Sequence, residues 1–507
     1  MTFTLISLAV LSAVEVLVWL PPLWRLRRWL LCGLIPLLAL TSGLLFGNHM
    51  ATWTALIMLL SIYRLINLLR ILEDRLQARQ LYSVTRRTAC LLIAGQLLIG
   101  ALALLDRHTD ISAADWAYVL GIVQLIGGGV LLASTRRHLR TTRPPAKPKS
   151  LSDHELPTLS VLIPARNETA DLEACLESLV SNNYPKLEIL VLDDCSQNKR
   201  TPGIIKDYAH AGVRFLAGET PPKHWLAKNY AYQQLSEKAN GEILLFCGVD
   251  TRFQPGSLRA MVEVMRAKRK YMLSWIPRNV APRRRDFLSL PVQPARYAWE
   301  LSLPRRLFRR PPVLSTCWLI AADELRHAGG FAAATNNVSI ESFFAKHAIS
   351  HDDGYAFLQS DAKIGLTSAK SLAEQRATAV RVRYPQLHRR PELVGLVSLA
   401  QGFFLVGPLA LLVVGVCTGS LGLVVLGAFS SIMVDASFSL IVSLTYRQFR
   451  WTGVWLLPFA ALYDIGLLNY SMWCYEFREV AWKGRNVCIP IMQFGSLLQN
   501  IEKTPKV

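Results

Sequence analysis

The sequence predicts an α/β domain with a Rossmann-like, mainly parallel sheet, held between two groups of transmembrane helices. Within residues 159–253, short apolar runs end directly in polar or acidic residues. Buried parallel strands have this pattern where they deliver side chains to the carboxyl edge of a sheet. In open α/β sheets that edge binds the ligands. Long apolar segments lie before and after this stretch, which indicates that the domain is held against a membrane.

The composition favours a membrane protein. Of the 507 residues, 51% are hydrophobic, and the formal net charge is +20. On a membrane protein such a charge usually lies in cytoplasmic loops that face anionic lipid. Nucleic acid is the competing partner for a basic chain, but we expect none, because the basic residues flank apolar segments and no nucleic-acid motif is present. The nine cysteines contain no C-x-x-C pair, which argues against a zinc site and fits a reducing compartment.

The N-terminal region, residues 1–135, predicts about five transmembrane helices. Its apolar segments are 3–20, 29–46, 52–69, 89–105 and 116–133. The first is expected to be a retained anchor, because it lacks the basic start and the cleavage site of a signal peptide. Basic and non-basic loops alternate, so the positive-inside rule predicts a multi-pass protein of the inner (cytoplasmic) membrane with the α/β domain in the cytoplasm. Packing explains Glu15 and Arg64 within these segments at least as well as function does.

A basic, proline-rich linker, residues 136–155, leads into the α/β domain, residues 156–391. The linker is expected to lie along an anionic membrane surface or to be a plain solvated segment. Strands are predicted over 159–163, 188–192, 213–216 and 242–247. Helices are predicted over 169–182, 202–210, 227–239 and 256–268. This alternation predicts βαβ units.

The C-terminal membrane region, residues 392–475, predicts two or three helices, and a cytoplasmic tail, residues 476–507, follows it. The apolar segments are 393–416, 421–444 and 455–473. Three spans would place the basic tail outside, against the positive-inside rule. The last segment contains Pro458, Asp464 and Asn469, and we therefore predict that it is interfacial or re-entrant.

Four motifs follow the predicted strands in order. They are P-A-R-N-E at 164–168, D-D-C-S at 193–196, H-W-L-A-K at 224–228 and G-V-D at 248–250. The set resembles the glycosyltransferase family 2 pattern on the GT-A fold, over residues 156–383. It is most similar to membrane-anchored members that glycosylate lipids, of the ceramide glucosyltransferase-like and hopanoid-associated types. Their W-[KR]-G-R ending resembles W-K-G-R at 482–485.

The resemblance implies a binding pocket for a nucleotide-sugar donor. Pro164, Ala165 and Glu168 would line the pocket for the base and ribose. Asp193 or Asp194 would bond the base, because carboxylates accept hydrogen bonds from N–H and O–H groups without ambiguity.

The resemblance also implies residues at the donor's diphosphate. Lys228 would face the diphosphate or the donor sugar as a point charge. Asp250 matches the second acid of the family's D-x-D, which holds a divalent metal, Mg²⁺ or Mn²⁺, and it is therefore both a predicted metal ligand and a predicted catalytic residue. Cleavage of the sugar–phosphate bond leaves a highly charged nucleoside diphosphate, which cations must neutralise. Gly248 replaces the first acid of the motif, so the sequence leaves open whether a metal is bound.

The family's general base is replaced as well. G-G-F at 329–331 and E-S at 341–342 resemble the family's G-G-F … E-D, in which the Asp deprotonates the acceptor hydroxyl. Ser342 cannot act as that base near neutral pH. Glu341 is the nearest carboxylate and the second predicted catalytic residue, although on a helix its side chain is expected to point away from that of residue 342.

A basic stretch, residues 374–385, matches the family's Q-x-x-R-W motif only in part. The residues that would bind the diphosphate or the acceptor head group are Gln375, Arg376, Arg381 and Arg383. The alternative is an interfacial helix that only extends its arginines toward the headgroups. Another stretch, with Tyr297 and Trp299 between arginine-rich segments at 283–285 and 305–310, predicts an amphipathic helix on the membrane surface.

These observations lead to a main hypothesis and two alternatives. The resemblance implies an inverting glycosyltransferase that moves a sugar from a nucleotide-diphosphate donor to a lipid acceptor at the cytoplasmic leaflet of the bilayer. Gly248 and Ser342 favour a different class, a catalytically degenerate scaffold or regulator of a membrane partner. A transporter is the third class, but the eight apolar segments divide five and three around the domain without an evident repeat. The sequence names neither the sugar nor the lipid.

Overall fold

The computed structural model describes residues 2–488 apart from short gaps. The gaps are residues 20–22, 24–25, 48–50, 73–78, 109–111, 147–149, 281–289, 303–309, 447–452 and 478–479. Several predictions therefore lie outside the described residues. They concern the arginine-rich segments 283–285 and 305–309, the middle of the 136–155 linker, and the tail beyond residue 488.

Helices form the chain before the domain. They are α1 (Thr2–Leu17), α2 (Arg27–Gly47), α3 (Ala51–Leu72), α4 (Arg79–His108) and α5 (Ala113–Thr141). Glu15 of α1 and Arg64 of α3 form a buried ion pair, with Arg64 Nε 2.8 Å from Glu15 Oε2. Arg64 also donates a hydrogen bond to Gln96 of α4. Burial of a charge is tolerated when the charge is paired, so these polar residues join three helices, as the packing explanation expects.

The domain is built on a seven-stranded sheet. Its strands lie in the order β3-β2-β1-β4-β8-β6-β9. The first four in this order are parallel, β8 runs antiparallel to both of its neighbours, and β9 is parallel to β6. The predicted α/β fold class is thereby confirmed. The bounds are β1 (Leu159–Ala165), β2 (Leu187–Asp193), β3 (Val213–Ala217), β4 (Ile243–Cys247), β6 (Met272–Ile276), β8 (Cys317–Ala321) and β9 (Tyr355–Gln359).

Both faces of the sheet are covered by helices, which explains why its strands are apolar at successive positions. Val161 and Ile163 of β1 pack with Leu172 on α6 (Ala170–Val180). Leu162 points to the other face and packs with Leu235 on α8 (Ala227–Lys238). Burial of each such side chain contributes about 1.5–3 kcal/mol. The remaining helices of the domain are α7 (Arg200–Asp207), α9 (Ser257–Ala267), α10 (Val292–Leu301), α11 (Ala322–His327), α12 (Ile340–Ser350) and α13 (Leu372–Gln386).

A small second sheet joins distant parts of the chain beside the carboxyl edge of the main sheet. It consists of β5 (Thr251–Phe253), β10 (Leu366–Ser368) and β7 (Arg278–Asn279), in that order. β5 and β10 are antiparallel, with Thr251 opposite Ser368. The backbone N–H of Ala369 donates to the carbonyl oxygen of Asp250 at 2.9 Å. This pairing places residues 368–370 next to the end of the G-V-D motif.

The C-terminal helices pack directly on the domain. They are α14 (Pro391–Cys417), which contains a π-helical segment at Gly402–Val406, α15 (Leu421–Thr445) and α16 (Gly453–Glu476). α13 lies along α16, where the Tyr384 N–H donates to Ser471 Oγ at 3.1 Å and the Tyr475 hydroxyl donates to the Arg381 carbonyl at 2.7 Å. A hairpin follows, with β11 (Ala481–Trp482) antiparallel to β12 (Arg485–Asn486).

Three helices in the described part of the chain are long and apolar enough to cross a membrane. They are Ala114–Thr141 before the domain, and Pro391–Cys417 and Leu421–Thr445 after it. Apolar helices therefore flank the domain, as predicted. That the other four N-terminal helices also span the membrane, and that the 455–473 segment is interfacial, stay predictions.

The helix that was predicted to lie on the membrane surface is instead buried. On α10, Tyr297 and Trp299 are only 1% and 2% exposed. Trp299 Nε1 donates to Asp464 Oδ2 on α16 at 2.6 Å, and the Tyr297 hydroxyl donates to the Pro277 carbonyl at 3.0 Å. The prediction of a surface helix is wrong because α15 and α16 cover its aromatic side. α10 thus lies between the domain and the C-terminal helices.

Candidate active site

The carboxyl edge of the sheet brings the predicted donor-site residues together. β1 and β2 pair in register up to Ala165 opposite Asp193, so both strands end at the same level. Pro164 and Ala165 lie at that level in β1. Glu168 and Asp194 follow in the two loops, and they are 9% and 3% exposed. We call Glu168 and Asp194 the edge acids.

The edge acids are bound by the chain's own C-terminal hairpin, residues 481–486, which we call the tail hairpin. Lys483 Nζ lies 2.5 Å from Glu168 Oε1, and Arg485 Nη1 donates to both carboxylate oxygens of Asp194 at 2.8 Å. Arg166 donates to the Lys483 carbonyl at 2.9 Å. The W-K-G-R motif therefore contacts the loops that follow β1 and β2. Sequence reasoning found both sets of residues but had no signal for their contact, since more than 290 positions separate them.

Burial and ion pairing act in opposite directions on the edge acids. Burial raises the pKa of Glu168, and its partner Lys483 opposes that rise. Burial likewise raises the pKa of Asp194, against the effect of Arg485. Asp193 has a different role, since its Oδ1 accepts a hydrogen bond from the Ser196 backbone N–H at 3.2 Å and so supports the turn after β2.

Asp250 lies beyond the end of β4 and is held by Ser368, the last residue of β10, and by Lys370, which follows that strand. Its Oδ2 accepts a hydrogen bond from the Ser368 hydroxyl at 2.9 Å and lies 3.7 Å from Lys370 Nζ. Sequence reasoning missed Lys370, because no motif surrounds it. Its only sequence signal is its position two residues after a short strand, and the small sheet is what places it beside Asp250.

Four cations from separate elements surround this acid, and we call them the cation cluster. They are Lys228 of α8, Arg296 of α10, Lys370 after β10 and Arg381 of α13. Each interacts electrostatically with the others. The acids that face the cluster are Asp250 and Glu341.

Burial in one cluster makes the positive charges unfavourable. It lowers the pKa of Lys228, with Glu341 opposing this effect and Arg381 adding to it. It lowers the pKa of Lys370 to about 8 and that of Arg381 to about 10. Arg296 is 8% exposed, and its Nη1 has no hydrogen-bond partner among the described residues. The cluster therefore holds positive charge that the surrounding acids do not fully balance.

Glu341 faces the cavity that three of the four cations line, and Lys370 is the one that does not line it. It lies in the first turn of α12, is 5% exposed, and its Oε2 is 4.0 Å from Lys228 Nζ. The cavity has a volume of about 330 Å³, and Arg296, Arg381 and Trp482 also line it. Ser342 does not line it. Glu341 was expected to point away from the position of the family's base, but the helix begins at Ile340 and turns this carboxylate, rather than residue 342, into the cavity.

The other residues predicted to bind the diphosphate or the acceptor divide into two groups. The Arg381 guanidinium belongs to the cation cluster and lies 5.7 Å from the centre of the Trp482 ring. Gln375 contacts the backbone of a cluster residue, since its Nε2 donates a hydrogen bond to the Lys370 carbonyl at 3.0 Å.

The second group faces α16. Arg376 is exposed and lies 5.9 Å from the centre of the Tyr470 ring. Arg383 forms a buried ion pair with Asp464 and lies 4.2 Å from the centre of the Trp299 ring. The structure therefore brings Arg381 to the site and gives Arg376 and Arg383 partners on a C-terminal helix.

The residues at Asp250 do not fit a divalent metal. Mg²⁺ and Mn²⁺ prefer several oxygen ligands, of which carboxylates are the strongest. Gly248 supplies none, and a Cβ at that position would lie 2.6 Å from Asp250 Oδ1, so this carboxylate fills the space of the missing side chain. The part of the chain that the structure describes contains no group of three or more His, Cys, Asp or Glu residues that could hold a metal ion.

Known proteins share the sequence pattern of this domain. Residues 160–320 match the family model described as Glycosyl transferase family 2. This segment therefore resembles a family 2 glycosyltransferase domain, which supports the predicted family over residues 160–320.

Similar proteins share this domain over part of their length. An uncharacterised glycosyltransferase of Haemophilus influenzae is 21% identical over 190 residues, which are 37% of this chain and 61% of that protein. The probable glycosyltransferase YdaM of Bacillus subtilis is 32% identical over 100 residues, which are 19% of this chain and 23% of that protein. The match thus spans less than two thirds of each relative. The mannosyltransferase PcManGT of Pyrobaculum calidifontis, solved with GDP-Man and Mn²⁺, is 20% identical, with 69% of this chain and 98% of that chain covered and a TM-score of 0.44.

Proposed function

We propose that this protein transfers a sugar from a nucleotide-diphosphate donor to the hydroxyl group of a lipid, at the cytoplasmic leaflet of the inner membrane. This is the activity of the ceramide glucosyltransferase-like and hopanoid-associated members that the motifs resemble. One observation carries the proposal. A buried carboxylate, Glu341, and three members of the cation cluster, Lys228, Arg296 and Arg381, line one cavity of a family 2 domain that is packed directly on membrane-length apolar helices.

The two ends of the cleft suit the two ends of a nucleotide sugar. The nucleoside carries N–H and O–H groups, and the carboxylates of Asp193 and of the edge acids can accept hydrogen bonds from them. The diphosphate carries a negative charge on each phosphate, which the cation cluster can neutralise. Arginine suits phosphate because it offers paired N–H donors, and lysine contributes a mobile point charge. In this pose the sugar lies in the cavity that Glu341 and Lys228 line.

The transfer itself requires a base and a stabilised leaving group. Glu341 accepts the proton of the acceptor hydroxyl, and the oxygen forms a bond to the anomeric carbon. The bond from that carbon to the phosphate oxygen breaks, and its electron pair remains on the nucleoside diphosphate. Attack opposite the leaving group inverts the anomeric centre. The cation cluster favours the step because it is already oriented toward the charge that develops on the leaving group.

A lipid acceptor is supported by the position of α10. Its Arg296 belongs to the cation cluster, while its Ala295, Ala298 and Trp299 line a small apolar cavity of about 60 Å³ against α15 and α16. One helix thus links the charged cavity to the apolar C-terminal helices. An acceptor with an apolar tail and a terminal hydroxyl matches both environments, because each part meets surroundings of its own polarity.

The test is a transfer assay with the full chain in detergent. The protein is incubated with a panel of radiolabelled nucleotide sugars and a bacterial lipid extract, and lipid-soluble label is separated by thin-layer chromatography. We expect a labelled lipid from at least one donor. Glu341→Gln should abolish transfer, whereas Lys346→Met, which changes an exposed lysine on the same helix, should not. If the wild-type protein transfers no sugar of the panel, the proposal fails.

A non-catalytic role is the second candidate, and one specific observation favours it. The edge acids, which the donor would use, are already paired with the tail hairpin. Glu341→Gln in cells separates the two functions. An enzyme loses one glycolipid from the cellular lipid profile, whereas a scaffold keeps its full phenotype with this variant.

A further inference from the structure

The cation cluster has an excess of positive charge in which Arg296 is buried and the other three cations are partly buried. The four cations interact with two acids, Asp250 and Glu341, and the third acid at the cavity, Glu300, is already paired with Arg310. Buried charges in proteins are normally paired, because a charge without a partner loses its hydration without compensation. Arg296 is more than nine-tenths buried, and its Nη1 has no hydrogen-bond partner among the described residues. Such a cluster is suited to an anionic ligand that supplies the missing negative charge.

Lys370 lies beside the Asp250 carboxylate, which is the predicted metal ligand. Its Nζ is 3.7 Å from Asp250 Oδ2, and the same oxygen accepts the Ser368 hydroxyl. Gly248 stands where the motif has its first carboxylate. A divalent cation at Asp250 would therefore meet one carboxylate instead of two, and it would be repelled by Lys370 and its neighbours.

We propose that the cation cluster binds the diphosphate of the donor directly, with Lys370 in the role of the divalent metal, so that donor binding requires no metal ion. This inference rests on the proposed function and specifies how that site holds its substrate. The loss of the first acid and the presence of Lys370 are then related, because together they replace a metal ion by a side-chain cation. Removal of a carboxylate lowers the affinity for a metal, and addition of an ammonium group supplies the positive charge that the phosphates still need.

The experiment measures binding to the full chain in detergent by calorimetry. The probes are ADP, CDP, GDP and UDP, each titrated in EDTA and again in Mn²⁺ or Mg²⁺. We expect at least one of them to bind in EDTA with an affinity within about threefold of that in metal. In EDTA, Lys370→Met should weaken this binding by about tenfold or more, as loss of a charge-assisted contact does. Lys346→Met should leave it unchanged.

Two further variants keep the test decisive. Lys370→Arg retains the charge and should retain most of the binding, which excludes misfolding as the reason for the loss in Lys370→Met. Gly248→Asp combined with Lys370→Met restores the two-acid motif, and its binding should become dependent on Mn²⁺.

The failures of the inference and of the proposed function are distinguishable. Wild-type binding that disappears in EDTA and returns with Mn²⁺ would overturn the inference and leave the proposed function standing. Equal binding by wild type and Lys370→Met in EDTA would also overturn it. If none of the four nucleotides binds in either condition, both the inference and the proposed function fail.

Discussion

The two charged regions of the cleft differ in how their charges are balanced. The edge acids, Glu168 and Asp194, are each matched by a cation of the tail hairpin at hydrogen-bond distance. The cation cluster has no such match, since its positive charges outnumber the acids that face it. The charges of the first region form ion pairs within the chain and so hold the tail hairpin on the domain. The positive charges of the second region lack enough acidic partners and are therefore suited to an anionic ligand.

This difference also bears on how a donor would enter. A nucleoside that bonds to the edge acids competes with Lys483 and Arg485 for the same carboxylate oxygens, or else binds beside them. A diphosphate meets no such competitor at the cation cluster. The comparison thus predicts that changes at the cluster alter binding and catalysis, whereas changes at the tail hairpin alter stability.

The largest effect is expected from Glu341→Gln. This change removes the proton acceptor and keeps the size of the side chain, so the rate of transfer should fall by about 10²–10⁴-fold, while donor affinity changes by only a few fold. Steady-state transfer and calorimetric binding measure the two quantities. Ser342→Ala is the matched control and should retain most of its activity. An equal loss of rate in both variants would show that Glu341 has no special role.

A smaller effect is expected from Arg485→Met, which removes the partner of a buried carboxylate. Asp194 would lose both of its hydrogen bonds from Arg485, and an unpaired buried charge destabilises a protein by about 2–4 kcal/mol. The thermal unfolding midpoint in detergent should fall by several degrees. The double variant Arg485→Met with Asp194→Asn should recover part of the loss, because the amide carries no charge. A midpoint equal to that of the wild type would contradict the role of the hairpin.

The pH dependence of donor affinity is expected to follow Lys370. Burial lowers its pKa to about 8. Below that pH the ammonium group is charged and attracts the diphosphate, and above it the group is neutral, so the affinity for a nucleotide sugar should fall by about tenfold between pH 7 and 9.5. The groups that face Lys370 are Asp250, Ser368, Lys228, Arg296 and Arg381.

The control for this pH profile is Lys370→Arg. Arginine keeps its charge over this range, so the variant should show a much smaller fall in affinity. Calorimetric titrations at four or five pH values provide the measurement. A profile that is the same in both proteins would assign the titration to another group.

The smallest effect is an expected gain in stability from Lys370→Met in the ligand-free protein. Removal of one unbalanced cation relieves repulsion from its neighbours, and apolar replacement of buried charges is often neutral or stabilising. The unfolding midpoint should stay level or rise by a degree or two. A fall of several degrees would show that the ion pair with Asp250 outweighs this repulsion, and that the cluster is balanced after all.

Local patterns predicted the strands of the domain well. The mostly apolar runs at 159–163 and 188–192 lie within β1 and β2, because strands that are covered on both faces are apolar at most positions. The same patterns gave a wrong prediction for α10. Its aromatic residues predicted a helix on the membrane surface, but whether an apolar face meets lipid or protein depends on which distant helix covers it.

The candidate site was predicted in part. Asp250, Lys228 and Glu341 carry motif signals and lie together. Lys370 and Arg296 carry none, and both joined the site only in the structure. The basic stretch 374–385 predicted four ligand-binding residues without distinguishing them. The helix geometry separates them, because Arg381 turns toward the cavity and Arg383 turns toward Asp464.

The sequence by itself determined the α/β class, the family of the domain and the missing acid at Gly248. These depend on local periodicity and on residues that are close along the chain. Only the tertiary structure decided that Lys370 stands beside Asp250, that Glu341 rather than Ser342 faces the cavity, and that the W-K-G-R hairpin holds the edge acids. Each of these contacts joins residues that are distant in sequence or depends on the direction of one side chain. Electrostatic balance acts through space, so it becomes visible only when the chain has folded.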